Sequence, residues 1–152
     1  MINRLNHTTT FHLYHTSFEL AQTTLTLEQR SVHFLCFYRP PPSRKNKLTE
    51  YLCFEQFPNL LEYGNSLGGN LIIVGDFSFH FDCSGNQHTS KLQDSIHVFN
   101  LKQSVSRPTH KHGHILDWIL YRPDYNILHS SLVSHELASD HLCIIFHHDV
   151  SP

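Results

Sequence analysis

Leu71-Ile72-Ile73-Val74-Gly75-Asp76-Phe77-Ser78-Phe79-His80 is the stretch on which the fold turns. Its first four residues are wholly apolar, as expected of a short central strand. Gly75 permits a tight turn, and Asp76 then emerges at the strand's carboxyl end, where α/β proteins usually place ligands. The layout recurs near the end of the chain. Ser139-Asp140-His141 precedes the apolar run Leu142 to Phe146, so a carboxylate and an imidazole project from a strand terminus. Asp117 lies inside Ile115-Leu116-Asp117-Trp118-Ile119-Leu120, and a carboxylate flanked by Leu116 and Trp118 needs a histidine, a donor or a metal as partner. Taken singly, these are a turn, a capping loop and a satisfied core acid. Their coincidence at strand ends points to one cluster.

Working outward, Phe18 to Leu27 alternates as a half-buried strand, and Val32 to Tyr38 reads as a strand covered on both faces. Pro40-Pro41-Pro42 ends it. Between Leu48 and Leu67, Cys53, Phe57, Leu60 and Leu61 recur at i, i+4, i+7 and i+8, one face of a helix that Pro58 should kink or restart. Gly68-Gly69-Asn70 stops that helix. A second helix is signalled at Ser90, with Gln93 reaching back to the cap and Leu92, Ile96 and Phe99 supplying the apolar face. Strands at Ile115 to Tyr121 and His141 to His147 complete an order β-β-α-β-α-β-β-β. The fold class is α/β: a layered sandwich of two mixed β-sheets with outer helices.

A chain of 152 residues suits one domain, and its eleven phenylalanines and six tyrosines supply burial enough to offset chain entropy. The longest apolar runs span five residues, too few to cross a bilayer, and Met1 to Thr10 lacks the apolar core of a secretory signal. An intracellular location is expected. Cys36, Cys53, Cys83 and Cys143 form no CxxC pair and read as buried free thiols. The net charge of -2 with histidine neutral excludes a globally basic nucleic-acid binder. It leaves room for a metal enzyme acting on phosphates, whose acidic centre is reversed in sign by its cation.

Gly75-Asp76-Phe77-Ser78, then Thr109 with Leu116-Asp117-Trp118-Ile119, then Ser139-Asp140-His141 resemble the ordered motifs of the endonuclease/exonuclease/phosphatase superfamily. With Phe37-Tyr38-Arg39-Pro40-Pro41, the resemblance is closest to the endonuclease domain of LINE-type non-LTR retrotransposons. It divides the chain into a divergent segment (1–17), a partial domain (18–148) and a tail (149–152), incomplete at the N-terminus. Family members begin with further segments bearing an asparagine and a metal-binding glutamate; Asn3, Asn6 and Glu19 do not match those positions. An incomplete sheet leaves an edge open to self-association.

The resemblance implies metal-dependent phosphodiester hydrolysis, the nicking of DNA in the nucleus with Mg2+ or Mn2+. By it, Asp76 orients or deprotonates the attacking water and Asp140 lies near the cation. His141 contacts the scissile phosphate, and Asp117 holds its imidazole. Tyr38, Ser78 and Thr109 take phosphate-binding positions, but Ser78 stands where the family has asparagine, a shorter group without an amide donor. Impaired catalysis is therefore expected. Two alternatives stand beside this reading: a noncatalytic remnant binding nucleic acid or protein, and a phosphatase of the same superfamily.

Two further features are separate from these motifs. His110-Lys111-His112-Gly113-His114, if extended, puts three imidazoles on one face in a pattern suited to zinc or copper. Arg39, Arg44, Lys45 and Lys47 form a basic run, read as a solvated loop or a phosphate-contacting one.

Overall fold

The computed structural model describes residues 6–12, 16–27, 30–43, 49–83, 85, 87–123, 128–137 and 139–148. The tail and the basic residues Arg44, Lys45 and Lys47 lie outside the described residues. Elements follow the order β1 (Asn6–His12), β2 (Glu19–Leu27), β3 (Arg30–Tyr38), α1 (Glu50–Ser66), β4 (Asn70–Asp76), α2 (Gln87–Val98), β5 (Lys102–Gln103), β6 (Asp117–Tyr121), β7 (Leu128–Leu137) and β8 (Leu142–His148). Strands β1 to β6 build a six-stranded sheet in the order β1-β2-β3-β4-β6-β5. Among the described residues, β7 and β8 form a separate antiparallel pair, so of the two sheets only the first is mixed. Its parallel pair is β3–β4, with α1 as the crossover. Strand β1 adds a strand that the sequence pattern did not show: Asn6–His12 pairs along β2 from Asn6↔Thr26 to His12↔Leu20. A threonine-rich run suits the sheet sterically but carries no apolar alternation to announce it.

Ladder register sorts the side chains into two faces, because directly paired residues point to the same side of a sheet. Leu35↔Ile73 and Ile73↔Leu120 lie on the face toward α1, where Leu35 and Leu71 pack against Gly64. Here α1 buries Cys53, Phe57, Leu60 and Leu61, the stripe expected from its spacing. Thr49 caps it, its hydroxyl accepting from Leu52 N–H at 3.2 Å, and the helix runs on through Pro58. At the other end Arg122 donates to the carbonyls of Gly64 at 3.0 Å and Asn65 at 3.1 Å, a cation at the negative pole of the helix.

Helix α2 corrects the reading at Ser90, since it begins three residues earlier, at Gln87. Its first turn is anchored instead by buried Thr89, whose hydroxyl donates to the His80 carbonyl at 3.2 Å. The cysteines need a correction too. Cys53 is buried, with its thiol pushed up to about 11 by that burial, whereas Cys83 is half-buried and Cys36 and Cys143 are exposed on β3 and β8. Strand β3 is covered on both faces in its middle, where Val32 and Leu35 are buried on opposite sides, and alternates only from Leu35 to Tyr38, with Cys36 and Tyr38 exposed.

Beneath the carboxyl ends of β3 and β4, aromatic rings form a column. Phe37 and Phe77 stack at 4.3 Å, and Phe77 and Trp118 stack at 4.3 Å with planes 8° apart. Phe57 meets both phenylalanines edge-on, at 6.1 Å and 6.0 Å. On the opposite face, Phe34 approaches Phe146 of β8 at 6.4 Å, which packs the second sheet onto the first. A cavity of about 250 Å³ remains there, lined by Val74, Ile119, Leu142, Ile144 and Phe146, with Asp117 among its walls.

Gly75 is the one residue of β4 that admits no side chain. Its φ is +145°, and a Cβ would stand 1.7 Å from the Phe37 carbonyl oxygen on β3. Gly75→Ala should lower unfolding stability by roughly 3 kcal/mol or more, read from the urea midpoint at unchanged m-value. An unchanged midpoint would show that β3 and β4 can part at this position without cost.

Candidate active site

Register across three strands sets the site's foundation. Tyr38 pairs with Asp76, and Asp76 pairs with Asp117, so the three lie in one row on the face turned toward β7 and β8. Glu19 extends the row on β2 through its pairing with Tyr38. Ladder spacing puts it roughly 10 Å from Asp76, beyond direct contact. That position is invisible in the sequence, where Glu19 sits far from the other acids.

Placing Asp76 opposite Asp117 sets two carboxylates side by side. Burial pushes the Asp76 carboxyl above the usual carboxylate range, and the charge of Asp117 adds to the rise; hydrogen bonds from Ser78 counter part of it. His141 answers this charge. Its Nδ1 lies 2.8 Å from Asp117 Oδ2, and its Nε2 lies 4.0 Å from Asp76 Oδ2. Burial works against the imidazolium, yet the hydrogen bond and charge of Asp117, with the charges of Asp76 and Asp140, prevail and lift His141 above its ordinary 6.5. With Asp117 at Nδ1, the other ring nitrogen is turned toward Asp76.

Asp140 stands at the margin of this group. Its carboxylate is half-exposed, with Oδ2 3.6 Å from His110 Nε2 and 3.8 Å from Lys111 Nζ. His110, Asp140 and His141 offer donor atoms within 4.8 Å of one another. Asp140 supplies one carboxylate to this group, within the one or two that magnesium takes when water and substrate complete its shell.

The three residues expected at the phosphate are placed differently from one another. Tyr38 is 44% exposed at the strand end, paired with Asp76 in the same row. Thr109 is fully buried, and its hydroxyl oxygen accepts from the N–H groups of Leu116 and Asp117 at 3.1 Å each. It is turned to the backbone that carries Asp117 rather than to an open surface. Ser78 has a φ of +50°, a left-handed conformation rare for serine. Its N–H donates to Asp76 Oδ1 at 2.8 Å, and its hydroxyl lies 3.1 Å from the same atom and 3.0 Å from the Arg39 carbonyl.

Two sequence expectations are corrected nearby. Arg39 is not part of a solvated run: it is 2% exposed, donates to the Ser78 carbonyl at 3.1 Å and lies 3.9 Å over the ring of Phe79. Burial lowers its pKa, against the charges of Cys53, Glu50 and Asp76. The histidine run does not extend either. Gly113 has a φ of +83°, and Gly113 N–H donates to the His110 carbonyl at 2.9 Å, so the chain reverses. His110 is sent to Asp140 and His114 to Asp82. The three imidazoles do not share a face.

The fold is similar to that of solved endonuclease/exonuclease/phosphatase proteins. A protein of that family from Leptotrichia buccalis matches with a TM-score of 0.63 at 15% identity, over 97% of this chain and 62% of the other. The human Nocturnin catalytic domain with bound sulfate anion matches at 0.54 and 18% identity, over 94% and 59%. Staphylococcus aureus beta toxin matches at 0.59 and 13%, over 86% and 57%. The chain thus spans less than two thirds of these solved structures. No curated protein matches at a significant level. A family model described as "Endonuclease-reverse transcriptase" matches residues 32–145. The chain belongs to that family.

Relieving the opposed charges should stabilise the fold. Asp76→Asn keeps an acceptor for Ser78 while removing the charge, and it should raise Tm by roughly 2–4 °C, for about 1 kcal/mol. A lower Tm would mean that the ionised carboxylate is a net structural asset.

Proposed function

We propose that the domain hydrolyses phosphodiester bonds of DNA as the nicking endonuclease of a retrotransposon, with weakened catalysis. The observation that carries this reading is the Asp117–His141 pair at 2.8 Å with Asp76 4.0 Å beyond it. The match to a family described as "Endonuclease-reverse transcriptase" supports the nuclease reading and the retrotransposon origin.

In this mechanism Asp76 accepts the proton of the attacking water, a task favoured by a carboxyl raised through burial. His141 donates from Nε2 to the phosphate as negative charge develops there, and Asp117 fixes the tautomer and supports the imidazolium. Tyr38 offers a hydroxyl to the phosphate from the end of β3. A magnesium or manganese ion held at Asp140 would neutralise charge on the nonbridging oxygens.

The first test is nicking of supercoiled plasmid DNA with magnesium. Wild type should nick, and Asp76→Ala and His141→Ala should lose about a hundredfold or more. Rate should rise as Asp76 deprotonates and fall as pH passes the raised pKa of His141. Asp117→Asn should move that alkaline limb to lower pH, because the interaction lifting His141 is weakened. Equal rates in all four proteins would end the assignment.

Ser78 favours the weakened form of this reading, since its hydroxyl is engaged with Asp76 and Arg39. Asparagine adopts the left-handed conformation more readily and carries an amide donor. Ser78→Asn should therefore raise nicking about tenfold or more. DNA retention without cleavage in both proteins would favour a noncatalytic remnant instead.

A further inference from the structure

Outside this site, two loops bring together a second set of ligand-type side chains. His80, Cys83 and His114 each offer a donor atom, all within 4.8 Å of one another. Two come from the turn that follows β4, where Cys83 N–H donates to the His80 carbonyl at 3.1 Å and so sets both side chains on one side. The third comes from the 110–114 turn before β6. Cys83 Sγ already stands 3.8 Å from His80 Nδ1, and the rings of His80 and His114 are parallel at 3.9 Å. Zinc bonds of about 2.0–2.3 Å hold tetrahedral ligand atoms roughly 3.5 Å apart, so small side-chain rotations suffice.

The surroundings are also those of a metal site. Asp82 Oδ2 lies 3.1 Å from His114 Nδ1, while its Oδ1 accepts from Ile115 N–H at 3.0 Å. A carboxylate fixed to the backbone thus holds one nitrogen of the imidazole and leaves the other to face outward from that bond, the arrangement that orients a metal-bound histidine. The turn itself is anchored by α2: Thr89 donates to the His80 carbonyl at 3.2 Å and Gln93 to the Phe81 carbonyl at 3.1 Å.

We propose that His80, Cys83 and His114 bind a zinc ion, with Asp82 orienting His114 and water in the fourth position. Two imidazoles and a thiolate form a borderline-soft donor set that suits zinc and not magnesium, so this ion is distinct from the one at Asp140. On binding, the Cys83 thiol loses its proton to solvent and the sulfur donates its electron pair to the cation. The ion clasps the loop after β4 to the turn before β6, the two segments that continue from Asp76 and lead into Asp117.

Zinc uptake by equilibrium dialysis tests this. It is measured on the full chain with Asp140→Ala added, so that His110, Asp140 and His141 do not contribute. One equivalent should bind, Cys83→Ser and His114→Gln should each lose it, and Asp82→Asn should weaken it about 10–100-fold. Cobalt(II) added to the chain with Cys83 intact should give a thiolate charge-transfer band, a readout that needs no cysteine variant to fold. No uptake, uptake unchanged by Cys83→Ser and His114→Gln, or bound cobalt without that band would overturn the proposal. None of these readouts depends on DNA cleavage.

Discussion

The opposition of Asp76 and Asp117 across the β4–β6 ladder is the constraint from which the site follows. Like charges directly opposite destabilise a sheet, and these two are partly shielded from water as well. The register cannot slip to part them. One face of the ladder carries Val74 and Ile119 toward the second sheet, the other carries Ile73 and Leu120 toward α1, and a shift by one residue would exchange the two sets. Packing on both faces therefore holds the carboxylates together. The compensating charge arrives from the other sheet, as His141 at the head of β8. Its pairing with Asp117 ties the two sheets at the same place where the chemistry is assigned.

The aromatic column explains why the row of polar residues stays in position. Phe77 and Trp118 follow Asp76 and Asp117 in sequence, and stack on each other on the α1 side while the acids face the second sheet. The backbone between is fixed by Phe77 N–H donating to the Leu116 carbonyl at 3.0 Å. Each acid is thus held by a buried ring one residue along the chain, with a loss of several kcal/mol expected if such a ring is truncated. A site resting on strand ends backed by rings is held more tightly than one built on loops.

Much of this was legible in the residues. The stripe of Cys53, Phe57, Leu60 and Leu61 declared α1 because helical periodicity is local. Asp117 announced its need of a partner by lying among apolar residues, and the partner is His141. What the sequence concealed depends on tertiary contact. Arg39 looked like one basic residue among several, but the ring of Phe79 and the Ser78 carbonyl draw it inside. Ser90 had the signature of a cap, yet the helix already begins at Gln87, and the Thr89 bond to His80 ties its first turn to the loop after β4. The period of two in the histidine run assumed an extended chain, and Gly113 breaks it with a positive φ. Register, which alone aligns Glu19, Tyr38, Asp76 and Asp117, leaves no trace in composition or spacing.

Thr109 shows how a residue can matter to the site without facing it. Its hydroxyl accepts from Leu116 and Asp117, its N–H donates to the His114 carbonyl at 3.0 Å, and its carbonyl accepts from Leu142 N–H at 2.7 Å. Three segments therefore meet at one buried threonine: the start of β6, the start of β8 and the histidine turn. An uncompensated loss of the hydroxyl would leave two inward N–H groups without their acceptor, at a cost of about 1–3 kcal/mol each in a buried setting. The effect would reach Asp117 through its own backbone and His141 through its neighbour Leu142. The distance between those two side chains is thus set from within the sandwich, by a side chain with no surface of its own.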